Sequence, residues 1–81
     1  MSLADWISML TMYSQPGCAP CRVAATRLDR INATYIVIDV TRDEAAAQAL
    51  RDAGFTGTPV FRYKNAYHTM AGLPAILADL G

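Results

Sequence analysis

Met9-Leu10-Thr11-Met12-Tyr13-Ser14-Gln15-Pro16-Gly17-Cys18-Ala19-Pro20-Cys21 holds an apolar run, a Pro-Gly turn and a Cys-x-x-Cys pair in immediate succession. Residues i and i+3 of a helix share one face, so two thiols at this spacing can meet and close a disulfide. The first cysteine falls at the expected helix start. There the unpaired backbone N–H groups and the positive end of the dipole favour a thiolate. The thiolate is the attacking species in thiol–disulfide exchange. The spacing therefore predicts a reactive Cys18 and a Cys21 placed to resolve what Cys18 attacks. A structural staple is the weaker alternative, because stabilisation by cross-linking grows with loop length and this ring encloses two residues. A zinc site is a second alternative. Structural zinc takes four ligands, and the chain offers two cysteines and one histidine, His68. A site shared between two copies would still reach four thiolates, so a non-catalytic zinc or iron–sulfur module stays open at this point.

The chain has 81 residues, 53% hydrophobic and 17% charged, with seven basic and seven acidic side chains. That is a one-domain length with enough apolar content for a core. The balanced, scattered charge argues against nucleic acid and against an anionic membrane surface. No apolar run has the length of a transmembrane helix. Residues 1–8 lack the basic start and apolar stretch of a signal peptide, and read as an N-terminal extension to a single domain over residues 9–81. A reducing cytoplasm is the expected compartment, and there a thiol pair is catalytic more often than structural.

Outward from the motif, Leu10 to Tyr13 reads as a short buried strand and Ala19 to Ile31 as a helix, with Pro20 in its first turn. Cys21, Ala24, Ala25, Leu28 and Ile31 share its apolar face, and Asn32 supplies a stop. Tyr35-Ile36-Val37-Ile38 has the β-branched composition of an interior strand. Thr41-Arg42-Asp43-Glu44 matches a capping box with Thr41 as N-cap. An alanine-rich helix follows, ended by Gly54. Val60 to Tyr63 and Ala66 to Met70 read as strands joined at Lys64-Asn65. Leu73, Ile76, Leu77 and Leu80 give a last helix, with Pro74 in its first turn. The order βαβ-α-ββα predicts an α/β fold with a four-stranded mixed sheet and helices on both faces.

Gly57-Thr58-Pro59 precedes the third strand. A turn there frees the backbone of Thr58 to pair with an extended substrate segment; an ordinary turn proline is the alternative. Taken together, Tyr13 to Cys21, Gly54 to Val60 and Gly72-Leu73-Pro74 resemble a glutaredoxin-like redoxin of the thioredoxin superfamily, with NrdH-redoxins the closest group. The resemblance runs from Leu10 over nearly the whole chain. It implies a thioredoxin-like fold, a cis Pro59 facing the disulfide, Cys18 as exposed nucleophile and Cys21 as resolving thiol. Thr58, Pro59, Tyr13 and Gly72 are the expected partner contacts.

Gly17 stands where thioredoxins have Trp, and Ala19-Pro20 where many glutaredoxins have Pro-Tyr. Met70-Ala71-Gly72-Leu73 lacks the acidic residue of the turn that holds glutathione, and also the Trp and Arg of the NrdH-redoxin segment. An NrdH-like chain would take electrons from NADPH through thioredoxin reductase. It would pass them to a protein disulfide such as that of a class Ib ribonucleotide reductase. A glutathione-dependent glutaredoxin, reduced by a low-molecular-weight thiol, is the rival. No bound cofactor and no metal are expected, and the chain is expected to act as a monomer.

Of the remaining residues, Arg22 reads as a solvated helix arginine and Asp39 as a polar strand end rather than a proton relay for Cys21. His68 reads as a surface hairpin residue, and Trp6 as cover for a sheet edge. Tyr13 fits either the site or the core.

Overall fold

Alternation of Leu10 and Met12 with Thr11 and Tyr13 sends successive side chains of one strand to opposite sheet faces, and the whole fold is arranged about that strand. In the computed structural model, which describes residues 9–81, this strand is β1 (Leu10–Ser14). It pairs in parallel with β2 (Tyr35–Asp39) and antiparallel with β3 (Val60–Tyr63), and β3 pairs antiparallel with β4 (Ala66–His68). The four-stranded mixed sheet has the order β2-β1-β3-β4. Among the described residues three helices complete the order: α1 (Ala19–Arg30), α2 (Glu44–Asp52) and α3 (Leu73–Leu80).

On one face Leu10, Met12, Phe61 and Tyr63 of the sheet pack with Ala24 and Leu28 of α1 and Leu73 and Ile76 of α3. On the other, Tyr13 and Val60 pack with Leu50 of α2, with Ile38, Val40, Phe55 and Tyr67 around them. The chain thus has the predicted α/β architecture with helices on both faces. The expected extension over residues 1–8, and Trp6 with it, lies outside the described residues.

Most of the breaks fall at Gly or Asn, where left-handed backbone costs least. Asn32 (φ 53°) ends α1 and Gly54 (φ 91°) follows α2, both just past the last helical turn. Lys64 and Asn65 carry φ of 51° and 62°, two consecutive left-handed residues of the kind that a tight hairpin turn demands.

Four sequence expectations need correction. The N-cap of α2 is Asp43, which accepts the Ala46 N–H at 2.9 Å. Thr41 is not the cap, because Asp39 at the end of β2 already takes both its N–H (2.9 Å) and its hydroxyl (2.6 Å). Glu44 reaches forward to Arg51 at 2.8 Å instead of back to a cap. Strand β2 is an edge strand, not an interior one, and Ile36 and Val37 are about half exposed. Strand β4 stops at His68, and Met70–Gly72 form a 3₁₀ turn leading into α3. Ile31 leaves the apolar face because α1 ends one residue before it.

The hairpin is tied to α3 at Asp79, whose carboxylate accepts from the Tyr63 hydroxyl and pairs with Lys64 Nζ at 3.0 Å. The Tyr63 hydrogen bond first, then Lys64, hold the Asp79 carboxyl below the usual carboxylate range. A carboxylate depressed in the folded state adds stability above its unfolded pKa, and that stability is lost as pH falls through the folded value. The Asp79 contribution is therefore complete at neutral pH and disappears below about pH 4. Asp79→Asn is expected to lower the unfolding midpoint at pH 7 and to flatten the loss between neutral and acid pH. Chemical denaturation across that range measures both.

Candidate active site

The sequence turns sharply between β1 and α1. Gly17 has φ of 77°, a conformation that costs glycine little and other residues more. The turn delivers Cys18 to the N-cap of α1 with extended backbone (φ −86°, ψ 102°). Its Sγ accepts the backbone N–H of Cys21 at 3.2 Å. Cysteine thus occupies the place usually taken by Ser or Asp, with sulfur as the capping atom. The same N–H and the dipole of a twelve-residue helix favour negative charge on that sulfur once the pair is reduced. No acidic side chain stands in the first turn of α1 to oppose it.

Cys18 and Cys21 are joined as a disulfide with Cα atoms 5.2 Å apart, within the usual range for a bridge. The two are unequally placed. Cys21 is 4% exposed and faces inward with Ala24 and Leu28, whereas Cys18 is half-buried at the rim. Attack from outside can reach Cys18, and Cys21 lies behind it.

The Thr58–Pro59 peptide bond is cis. Pro59 is buried and lines one cleft with Pro20, Thr58, Thr69 and Met70. Pro20 lies inside the Cys18–Cys21 ring, so the cleft joins the dithiol segment to the proline turn across 39 positions of sequence. Sequence reasoning missed Thr69 and Met70 here. Their local signal, an apolar hairpin strand, points to β4 rather than to the 3₁₀ turn that carries them to the cleft.

The other candidates separate. Tyr13 is 6% exposed in the core against α2, with its ring 6.1 Å from that of Tyr67. Burial first and then Tyr67 push its phenol up. It is a core residue, not a surface offered to a partner. Gly72 caps α3, and a Cβ there would come within 3.0 Å of His68 Cβ and 3.3 Å of His68 Nδ1. Its small size is thus needed for packing against His68. Arg22 is exposed. Asp39 holds Thr41 and pairs with Arg42 at 3.9 Å, as a polar strand end does. Among the described residues no cluster of three or more His, Cys, Asp or Glu side chains is placed for a metal ion. The structure contributes no further ligand to the metal alternative.

Among the described residues, Thr58 Oγ1 stands out as a buried hydroxyl without a hydrogen-bond partner. An unpaired buried polar group costs about 1–3 kcal/mol. Thr58→Val is expected to raise stability by about 1 kcal/mol, or roughly 4–8 °C in Tm for a domain of this size. Thermal unfolding of both proteins in one buffer checks it, and an unchanged or lower Tm contradicts it.

A glutaredoxin family model matches residues 10–67. The chain belongs to the glutaredoxin family. The glutaredoxin-like protein NrdH-redoxin from Escherichia coli has a similar structure, with TM-score 0.78 and 26% identity over 90% of this chain and 95% of that one. The thioredoxin-like protein BC3987 aligns with TM-score 0.72 and 27% identity over 83% and 97% of the two chains. The Gene 56 protein of Mycobacterium phage D29 is 40% identical over 43 residues, 53% of this chain. The match spans about half of that relative, 48% of its length. As a glutaredoxin-family protein with an adjacent Cys18–Cys21 pair, the chain is a thiol–disulfide oxidoreductase. Membership of the family implies redox partners such as thiol reductants and disulfide substrates. No helix among the described residues is long and apolar enough to cross a membrane.

Proposed function

We propose that this glutaredoxin-family protein is an NrdH-redoxin-like electron carrier of the cytoplasm. It is reduced by NADPH through thioredoxin reductase and passes the electrons to a protein disulfide such as that of a class Ib ribonucleotide reductase. The exchange balances in two steps. The Cys18 thiolate attacks one substrate sulfur, the substrate disulfide breaks, and the departing sulfur leaves as a thiolate and takes a proton. Cys21 loses its proton and attacks Cys18 Sγ, which expels the second substrate thiol. The substrate gains two electrons and two protons, and the enzyme is left with the Cys18–Cys21 disulfide for the reductase to restore. Cysteine sulfur carries the whole exchange, so no bound cofactor or metal is needed for it.

One observation carries the choice of reductant. The turn at Met70–Gly72 and the first turn of α3 hold no acidic side chain, and Gly72 offers no side-chain cap. The ammonium of glutathione would meet no carboxylate there, and a poorly paired charge weakens binding. A protein reductase can instead cover the apolar cleft and pair with the Thr58 backbone. The similarity to NrdH-redoxin supports this reading, since that glutaredoxin-like protein has a thioredoxin-like activity profile.

The test is NADPH consumption at matched protein concentration. One arm contains thioredoxin reductase, the other glutathione with glutathione reductase. Fast turnover is expected in the first arm and slow turnover in the second. The reverse order would make the protein a glutathione-dependent glutaredoxin.

A further inference from the structure

The charges of the chain balance in number but not in place. Among the described residues, every lysine and arginine outside α1 has a partner within the fold. Arg42, Arg51 and Lys64 pair with Asp39, Glu44 and Asp79, and Arg62 lies over the ring of Tyr67. The other acids are engaged as well. Asp43 caps α2, Asp52 accepts from Gln48 at 2.8 Å, and Asp29 accepts from the Tyr35 hydroxyl at 2.9 Å. Arg22, Arg27 and Arg30 remain, with neither an ion pair nor an aromatic partner among the described residues. All of them stand on α1.

Helix geometry gathers them on one side. Cys21, Ala24 and Leu28 turn inward. At about 3.6 residues per turn, Arg22, Val23, Thr26, Arg27 and Arg30 fall on the opposite side, and each of these is exposed. Val23 is 47% exposed and neighbours Arg27 one turn on. The helix dipole accounts for Arg27 and Arg30, which stand in the last turn. It disfavours Arg22 in the first turn, where Arg22 shares the wall of a hollow with Cys18 and Cys21. The arginine face thus starts at the dithiol and runs along the helix for about 18 Å. The cations are arginine throughout, not lysine. A guanidinium fork meets a carboxylate with two parallel N–H donors, and arginine is enriched and lysine depleted at protein interfaces.

We propose that the outer face of α1 is a docking surface for an acidic patch on the protein that exchanges disulfides with Cys18, with partner carboxylates on Arg27 and Arg30 while the partner's sulfur meets Cys18. The proposal rests on the disulfide-reductase reading above and adds the charge of the partner. It places those carboxylates about 13–18 Å from the reacting sulfur, the distance of Arg27 and Arg30 along the helix. The attraction acts before and during attack alike, so it falls in KM and leaves kcat unchanged. It weakens with salt, because the screening length drops from about 30 Å at 0.01 M to about 3 Å at 1 M.

The experiment uses the reduced protein and peptides carrying one cysteine as a mixed disulfide with thionitrobenzoate. Four glycines follow the cysteine, and then a run of Glu, Gln or Lys. Four extended residues span about 13 Å, so the charged run reaches Arg27 and Arg30 from Cys18. At about 0.01 M salt the Glu peptide is expected to show kcat/KM about tenfold above the Gln peptide, with the Lys peptide below both. The Glu-to-Gln ratio should fall close to one at about 1 M salt, a measurement that needs no variant. It should also fall close to one at low salt in the double variant Arg27→Gln/Arg30→Gln. The double variant Arg42→Gln/Arg51→Gln, which removes as much charge elsewhere, should keep the ratio. Equal Glu and Gln rates in the wild type, or a preference that survives Arg27→Gln/Arg30→Gln, would overturn the docking face while leaving the reductase intact. Stronger inhibition by oligothymidylate than by a cysteine-free Glu peptide would assign the face to nucleic acid and overturn it too. No reduction of any peptide would overturn both.

Discussion

Cys18→Ser is expected to abolish disulfide reduction, and Cys21→Ser to stop it after one step with a mixed disulfide left on Cys18. The asymmetry follows from the placement of the two sulfurs. Cys18 is half-buried at the N-cap of α1, where its Sγ meets the Cys21 N–H at 3.2 Å. A serine hydroxyl in the same place can accept that hydrogen bond, and so it preserves the helix. It remains protonated and cannot take over exchange with a disulfide. Cys21 is 4% exposed, too deep for first attack but one helical turn from Cys18. Its loss leaves attack intact and removes resolution. Mass spectrometry after brief exposure to a peptide disulfide should find the adduct on Cys21→Ser and none on Cys18→Ser. Adducts on Cys21 in the Cys18→Ser protein would contradict the assignment.

Phe61→Ala should produce the largest loss of stability. Phe61 is fully buried at the middle of β3. It stands opposite Met12 of β1 on one side and His68 of β4 on the other, in the cluster that joins the sheet to α1 and α3. Removing a buried phenyl ring costs about 3–5 kcal/mol, transfer and residual cavity together. Against a total of about 5–15 kcal/mol for a domain, that leaves a marginal protein. Denaturant unfolding should show the midpoint fall with little change in slope. A loss under about 1 kcal/mol would show that the core collapses around the gap.

Most of the fold and the heart of the site could be read from local pattern, because the signals there are local. Cys18 and Cys21 lie three residues apart at the start of one helix, and Asn32, Gly54 and Asn65 announce their turns by the backbone they tolerate. What escaped depends on which of several available contacts forms. Thr41 and Asp43 are both good caps, and the choice between them is made by Asp39, which binds Thr41 first. Tyr35 to Ile38 has interior composition, but composition does not set sheet order, and β2 lies at the edge. Tyr13 fitted the site or the core equally well until Leu50 and Val60 of distant elements closed around it. A hollow beside Thr58 joins Gln15, α2 and the pre-proline loop, a grouping that no periodicity encodes.

Its N-cap position on α1 is expected to make Cys18 the nucleophile. The most direct measurement is the alkylation rate of each thiol in the fully reduced protein as a function of pH, read by peptide mass spectrometry. An ordinary thiol titrates near pH 8.5 and is only a few per cent thiolate at neutral pH. Cys18 should alkylate about tenfold or more faster than Cys21 at pH 7, and should keep reacting well below the pH at which an ordinary thiol falls silent. Equal rates at the two cysteines, or a Cys18 profile that follows an ordinary thiol, would contradict the account.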